Sequence, residues 1–215
     1  MRDAVALPQG EDVNEWLAVK AVDMFNEIHL VHGMVADFCT DHSCGTMTAG
    51  SHYEYKWADG VKYKQPASVS APQYIALLMQ WVTDHLDNPK IFPTAPGAPF
   101  PSNFRATVGN IFRRLFRVYG HIYHCHMERV VELTFEAHLN SCFKHFAYFV
   151  LEFDLIRPEE LKPLQSLIDK MVAEDDLRYG PRQRPIGAER DAAARSSSSS
   201  SSMAPPGTPA GASAS

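Results

Sequence analysis

Two groups of side chains suited to metal binding stand far apart in the sequence. The first is the stretch DFCTDHSCG, in which Cys39 and Cys44 lie five positions apart in a polar turn. The second is the stretch GHIYHCHMERV, which offers three histidines and Cys125. Thiolate and imidazole are the ligands that a structural zinc ion prefers, in a closed set of four. Each stretch can therefore supply half of one zinc site.

The choice of ligands in the second stretch stays open on spacing alone. At about 100° per residue, His121 and Cys125 share one helical face, whereas His121 and His126 are about 140° apart. The pair of His121 and His126 requires a helix start or a kink near His121, which Gly120 directly before it would allow. A histidine-rich helix without a metal is the alternative.

Helical periodicity dominates the segments that must position these residues. Apolar residues recur at helical spacing from Asn14 to Met34, and again in residues 70–86, where Pro72 marks the first turn. The longest pattern covers residues 101–133, and Gly120 is a candidate for a kink or a break within it. Residues 136–153 are apolar nearly all round, as in a buried helix. A last amphipathic helix begins at Arg157-Pro158.

One segment departs from this helical pattern. YEYKWADGVKY alternates aromatic and polar residues, and Asp59-Gly60 favours a tight turn, so a short β-hairpin is predicted. The fold class is therefore all-α, a helical bundle with one small hairpin. From about Gly187 the chain is rich in Ser, Pro, Gly and Ala, a composition that cannot bury enough surface to fold. We expect a helical domain over residues 1–178 and a disordered tail over residues 179–215.

Composition excludes several classes of protein. The 215-residue chain has a net charge of −5, so the whole molecule does not attract nucleic acid or anionic lipid. No apolar run approaches the roughly 18 residues of a membrane helix, and the amino terminus has no signal-peptide pattern. Four cysteines are too few for a disulfide scaffold, which favours the cytoplasm, or also the nucleus, as location.

Charged residues are separated into two groups. Glu11, Glu15 and Asp23 lie around Trp16 at the start of the first long helix, an arrangement that suits a basic partner helix. The alternative is a solvated acidic face beside a core tryptophan. The opposite sign appears in FRRLFRVY, whose three arginines can converge on one helical strip and bind a phosphate dianion. A basic surface stripe paired with neighbouring acids is the alternative there.

Several motifs together strongly resemble the Mob (Mps-one-binder) kinase-activator family, close to its Mob-one branch. They include GEDVNEWLAVKAVDMFNEI, FCTDHSC, YEYKWADG, RRLFRVYGHIYHCH and EAHLNSCFKHF, and the resemblance extends from about Arg2 to Met171. It implies a four-helix core held by one structural Zn²⁺. The implied ligands are Cys39, Cys44, His121 and His126. Cys125 is then an ordinary helix residue.

The resemblance also implies two partners. The acidic surface of the family binds the basic N-terminal segment of NDR/LATS-type kinases, and the matching kinase-binding positions here are Glu11, Glu15, Trp16 and Asp23. A basic pocket binds phosphothreonine in an upstream Hippo/MST-type kinase. Its matching positions are Lys64, Arg113, Arg114 and Arg117. Gln65 stands where relatives have a second lysine, so we expect a weaker or differently selective pocket.

The expected role is that of a monomeric scaffold and kinase coactivator. Relatives carry a longer N-terminal arm with a regulatory threonine, for which no room precedes Glu11, so the chain is expected to be constitutively open or truncated. A zinc hydrolase is the first alternative, but H-E-x-x-H, a P-loop and a G-x-G-x-x-G motif are all absent from the sequence. A nucleic-acid-binding helical module is the second, with one short arginine strip as its only support.

Overall fold

A computed structural model describes residues 1–95 and 97–181 of the chain. Most of these residues are helical, and a short 3-10 turn at Ala36–Phe38 follows the first long helix. The α-helices, in chain order, are α1 (Arg2–Val5), α2 (Val13–Gly33), α3 (Ala71–Leu86), α4 (Phe104–Cys125), α5 (Met127–Glu132), α6 (Glu136–Glu152), α7 (Pro158–Leu161) and α8 (Gln165–Tyr179). The helices predicted over Asn14–Met34 and over residues 70–86 and 136–153 are confirmed. The pattern over residues 101–133 is divided between α4 and α5, and the last predicted helix is interrupted by a 3-10 turn at Lys162–Leu164.

The starts of α2 and α3 follow from local side-chain chemistry. The Asp12 carboxylate accepts hydrogen bonds from the backbone N–H groups of Asn14 and Glu15, at 2.8 and 3.2 Å. Ser70 caps α3 in the same way, because its hydroxyl accepts from the backbone N–H of Gln73 at 3.4 Å. Such caps satisfy N–H groups that have no partner within the helix. They fix where the two helices begin.

Helices α2, α3, α4 and α6 meet in one apolar core. α2 packs against α3, α4 and α6 through residues at helical spacing, namely Leu17, Ala21, Met24, Ile28 and Val31. α4 and α6 join through aromatic rings, since Phe112 stacks against both Phe146 and Phe149 at 5.3 Å between centroids. The buried character of α6 agrees with its nearly all-apolar sequence. The more specific prediction of a four-helix bundle stays a prediction.

The predicted hairpin at residues 53–63 is replaced by isolated antiparallel bridges. Thr48 pairs with Glu54 and Trp57 pairs with Ala67, and neither bridge extends into a strand among the described residues. The Asp59 carboxylate accepts hydrogen bonds from the backbone N–H groups of Val61 and Tyr63, both at 2.8 Å. The backbone N–H of Asp59 also donates to the Tyr63 carbonyl at 3.1 Å, so side chain and backbone close the turn together. Trp57 and Ala67 then exchange two backbone hydrogen bonds of 2.8 Å.

The carboxyl-terminal boundary is only partly described. Contacts within the chain group Met1–Gly180 into one unit, whereas nearly all of the predicted tail, 179–215, lies outside the described residues. The division at residue 178 therefore stays a prediction. Across residues 1–95 and 97–181, none of the helices has the length and apolar character needed to cross a membrane.

Candidate metal centre and two charged faces

The two cysteines are presented by a closely hydrogen-bonded turn. Cys39 directly follows the 3-10 turn Ala36–Phe38. Thr40 and Ser43 bond reciprocally, with the Thr40 N–H 2.9 Å from the Ser43 hydroxyl and the Ser43 N–H 3.1 Å from the Thr40 hydroxyl. The backbone N–H of Cys44 donates to the Thr40 carbonyl at 2.8 Å. The polar residues between the cysteines therefore hold both thiols in fixed positions.

The two histidines come from the end of α4, and the helix break lies after them rather than before. α4 runs unbroken through Gly120 and ends at Cys125, while His126 adopts φ −127° and ψ 8° between α4 and α5. The predicted kink at Gly120 is therefore wrong. Leaving the helix at His126 brings its ring toward His121, which regular helical geometry would place about 140° away. Gly120 has a different role, since a Cβ there would lie 3.2 Å from the Cβ of Ala49.

All four predicted ligands converge on one buried point. Their donor atoms lie within 4.8 Å of one another. His121 Nε2 is 3.4 Å from Cys39 Sγ and 3.2 Å from His126 Nε2, and His126 Nε2 is 3.5 Å from Cys44 Sγ. A tetrahedral zinc site has edges of about 3.3 Å between nitrogens and about 3.6 Å between nitrogen and sulfur. The residues present therefore fit a tetrahedrally bound metal ion.

The environment of the histidines favours their metal-binding form. Burial lowers the pKa of His121, and burial with the neighbouring His121 lowers the pKa of His126 to about 4. Both imidazoles are thus neutral at pH 7, as a metal ligand must be. The Nδ1 of His121 lies 2.8 Å from the Thr48 carbonyl, which orients Nε2 toward the centre.

The cysteines require the metal's charge to ionise. Burial, followed by the nearby Cys44 thiol, raises the pKa of Cys39 to about 12. A divalent cation deprotonates a coordinating thiol and would be bound here by four protein groups. Cys125 is exposed and lies outside the group of four. A cavity of about 370 Å³ flanks the centre, so a metal or a chelator has a path to it.

The acidic face of α2 is exposed and built around a fixed tryptophan. We use this name for the four predicted kinase-binding residues, Glu11, Glu15, Trp16 and Asp23. The three acidic residues are exposed, whereas Trp16 is half-buried and its indole N–H donates to the Val5 carbonyl at 3.2 Å. Trp16 and Asp23 are seven residues apart and so lie on one side of the helix.

Two further features of this face escaped the sequence prediction. Lys20 lies with its ammonium 4.9 Å from the Trp16 ring and 3.1 Å from the Asp23 carboxylate, so a cation lies within the acidic face. Val19 and Val22 are also open to solvent, at 53% and 42% exposure. Helical spacing from Trp16 and Asp23 could have indicated Lys20, whereas the exposure of the valines required the packing of α2.

Three arginines of α4 form the arginine cluster, defined here as Arg113, Arg114 and Arg117. Arg114 is held most closely, because its guanidinium lies 4.7 Å from the Trp57 ring and 4.5 Å from the Trp81 ring. It also donates a 2.7 Å hydrogen bond to the Ala58 carbonyl. Burial lowers the pKa of Arg114, but an arginine remains charged at neutral pH. The predicted convergence of these three side chains on one phosphate stays a prediction.

The other two arginines have their own anchors. Arg113 Nη2 donates to Asn110 Oδ1 at 2.6 Å, and Arg117 Nη1 donates to the Tyr74 hydroxyl at 2.8 Å. The Nε–H groups of all three arginines are buried and donate to no hydrogen-bond partner among the described residues. A buried donor without a partner is costly, so these groups are available for an anion.

An acidic residue that the sequence prediction missed completes this region. Glu160 of α7 lies 3.6 Å from Arg113, 3.7 Å from Arg117 and 3.7 Å from Arg157. Neither Glu160 nor Arg157 is near α4 in sequence, so no spacing rule indicates them. Lys64, the fourth predicted pocket residue, is exposed, and among the described residues no hydrogen bond or ion pair joins it to the arginine cluster.

A helical domain with a buried Cys2His2 group and two faces of opposite charge has the features of a binding module. Comparison with known proteins identifies its family. The Mob1/phocein family model matches residues 1–164, and the chain belongs to this family.

Curated relatives are similar over most of their length. The chain is 56% identical over 173 residues to "MOB kinase activator-like 1A" of Arabidopsis thaliana, covering 80% of each chain. It is 56% identical over 172 residues to "MOB kinase activator-like 1B" of Medicago sativa subsp. falcata and 54% identical over 172 residues to a homologue of Dictyostelium discoideum, again covering 80% of each chain. Members of this kinase-activator family are regulatory adaptors rather than enzymes.

Proposed function

We propose that this protein is a non-catalytic adaptor and coactivator that binds the N-terminal regulatory segment of an NDR/LATS-type Ser/Thr kinase through the acidic face of α2. The observation that carries the proposal is the exposed set of carboxylates around the fixed ring of Trp16. Carboxylates attract a basic helix over long range, and an aromatic anchor with exposed valines supplies apolar contact area. The kinase-activator names of the relatives support the same class of partner.

Activation would follow from differential binding. A basic kinase segment that is ordered only when docked on α2 favours the kinase conformation compatible with that order. The increase in the population of active kinase is limited by the difference between the adaptor's affinities for the two kinase conformations. The adaptor itself needs no catalytic group for this effect, and we propose that it acts as a monomer in the cytoplasm, or also in the nucleus.

A second ligand is proposed for the arginine cluster, namely phosphothreonine of an upstream kinase of the Hippo/MST type. Three convergent guanidiniums with unpartnered Nε donors suit the dianionic charge and the three acceptor oxygens of a phosphate. Lys64 would have to reach the ligand from its exposed position on the loop. The metal at Cys39, Cys44, His121 and His126 is proposed to be a structural Zn²⁺, since the soft donor set of two thiolates and two imidazoles suits zinc.

Calorimetric titration of a basic N-terminal segment of an NDR/LATS-type kinase tests the docking face. We expect saturable one-to-one binding that weakens about tenfold in Asp23→Ala, because that substitution removes a carboxylate beside the aromatic anchor. Asp169→Ala, which removes the same charge from the exposed surface of α8, is the matched control. Equal weakening in the two variants, or no binding by the unchanged protein, would contradict the proposal.

A paired titration tests whether the acidic face and the arginine cluster bind different ligands. Arg117→Ala should weaken binding of a phosphothreonine peptide at least about tenfold while leaving the kinase segment bound as before. Its guanidinium belongs to the arginine cluster on α4, whereas the kinase segment is proposed to bind the carboxylates of α2. Equal loss of both ligands would mean that the variant has damaged the fold or that the pocket lies elsewhere. Circular dichroism of the variant distinguishes these two causes.

A further inference from the structure

The arginine cluster already contains an anion. Among the described residues, Glu160 is the only acidic side chain within ion-pair distance of Arg113 or Arg117, at 3.6 and 3.7 Å. The exposed Arg157 approaches the same carboxylate at 3.7 Å. Glu160 therefore lies where guanidiniums from two segments of the chain converge. An incoming phosphate would meet this carboxylate at the site that it must occupy.

The arginines do not depend on Glu160 for their positions. Arg113 is bound to Asn110, Arg117 to the Tyr74 hydroxyl, and Arg114 to the Ala58 carbonyl. Arg114 is stacked between two tryptophan rings as well. Each guanidinium thus has an anchor of its own that is independent of α7. Removing the Glu160 charge should leave the geometry of the cluster in place.

The carboxylate is also loosely held. All three of its ion-pair distances exceed the length of a hydrogen bond to a charged group, which is about 2.7 to 2.9 Å. The Glu160 side chain is about a quarter exposed, so water can solvate it when it turns away. The adjacent guanidinium Nε atoms remain unpartnered while it is present. Glu160 therefore neutralises the cluster without using its full hydrogen-bonding capacity.

We propose that Glu160 is a built-in competitor that sets the threshold for anion binding at the arginine cluster. This inference rests on the proposed phosphopeptide function of the same site. A phosphate dianion carries more charge and more acceptor oxygens than a carboxylate, so it displaces Glu160 from the guanidiniums. An aspartate or glutamate of a passing peptide offers only what Glu160 already supplies and gains little by replacing it. The internal carboxylate thereby restricts the site to phosphorylated ligands.

Neutralising Glu160 tests the idea, because the competitor and a merely structural residue predict opposite changes. In Glu160→Gln, a phosphothreonine peptide should bind about fivefold tighter or more at low ionic strength. The matched control is Glu159→Gln, which removes the same charge one residue earlier from an exposed side chain that has no ion pair among the described residues. Affinities are measured by calorimetry at equal peptide and salt concentrations.

Inorganic phosphate provides a second readout that needs no peptide. The Nε–Hε resonances of Arg114 and Arg117 should shift on phosphate addition, with half-saturation at a lower phosphate concentration in Glu160→Gln than in the unchanged protein. If the unchanged protein binds the peptide but Glu160→Gln binds it equally or more weakly, the competitor role is overturned and the pocket stands. If neither protein responds to peptide or phosphate, the arginine cluster is not an anion site and both proposals fail.

Discussion

The acidic face and the arginine cluster differ in how their charges are held. The carboxylates of the acidic face belong to α2 and the residues just before it, and Glu11, Glu15 and Asp23 are exposed to water. The guanidiniums of the arginine cluster are half-buried and are anchored by groups from other segments, among them Ala58, Tyr74 and Trp81. The first region can be altered with little cost to the fold, whereas the second is part of the fold.

Removal of the metal should destabilise both regions together and have the largest effect on stability. The Cys39 turn follows α2, and His121 lies one turn beyond Arg117 on α4, so a metal bound there would join the helices that carry the two faces. We expect chelation or Cys39→Ser to lower the free energy of unfolding by about 3 kcal/mol or more, and Tm by about 10 °C. Calorimetric melting with and without chelator measures this change.

Cys125→Ser is the matched control for that experiment. Cys125 is an exposed thiol on the same helix and lies outside the group of four ligands. We expect this variant to retain one equivalent of zinc by elemental analysis and to melt like the unchanged protein. Loss of zinc from Cys125→Ser but not from Cys39→Ser would show that the ligand set has been misassigned.

Arg114→Ala should lower the stability of the protein far more than Asp23→Ala, a substitution in the acidic face. This substitution removes a guanidinium stacked on Trp57 and Trp81 and leaves the Ala58 carbonyl without its donor, so we expect a loss of about 2 kcal/mol. Asp23→Ala should change the unfolding free energy by less than about 0.5 kcal/mol, because Asp23 is exposed. Urea unfolding of both variants gives the comparison, and equal losses would contradict it.

Ionic strength should affect the binding of the two ligands to different degrees. Exposed charges are screened over about 8 to 10 Å at 0.1 to 0.15 M salt, whereas partly buried charges are screened much less. Raising salt from about 50 to 300 mM should therefore weaken binding of the kinase segment about tenfold, and that of a phosphothreonine peptide by a smaller factor. Titrations at four salt concentrations measure both slopes. A steeper slope for the phosphopeptide would reverse the assignment of exposed and buried charge.

The smallest effect is expected at Lys20, the cation within the acidic face. Its ammonium lies over the Trp16 ring and is paired with Asp23, so it competes with a basic ligand. Lys20→Met keeps the apolar stem and removes the charge, and we expect the kinase segment to bind about two- to threefold tighter. Lys170→Met on the exposed surface of α8 is the control for net charge. Unchanged or weaker binding in Lys20→Met would contradict this role.

Features encoded locally could be predicted from the sequence. The helices follow from apolar spacing, and the beginning of α3 follows from Ser70 and Pro72. The ligand set Cys39, Cys44, His121 and His126 could be named only through the resemblance to a family, because spacing left the choice between Cys125 and His126 open. What settles the geometry is the end of α4 at His126, and the sequence carries no strong stop signal there.

Features that depend on distant segments could not be predicted. The Asp59-Gly60 turn suggested a hairpin, but the Asp59 side chain takes up the Val61 and Tyr63 N–H groups that strand pairing would use. Hydrogen bonds from Tyr63 and Val61 lower the pKa of Asp59, which keeps this carboxylate ionised as an acceptor. Glu160 reaches the arginine cluster only because the chain returns there after α6. Such a contact has no periodicity in the sequence.

A metal bound by these four residues would also act as a reversible cross-link of the chain. Cys39 and His121 are 82 residues apart in sequence, as are Cys44 and His126. A covalent bridge across a loop of that length would reduce the entropy of the unfolded chain by an amount equivalent to about 4.5 kcal/mol at 25 °C. A metal that stays bound to all four ligands during unfolding would impose the same restriction. Unlike a disulfide, this closure needs no oxidant to form and no reductant to open, so it suits a reducing environment.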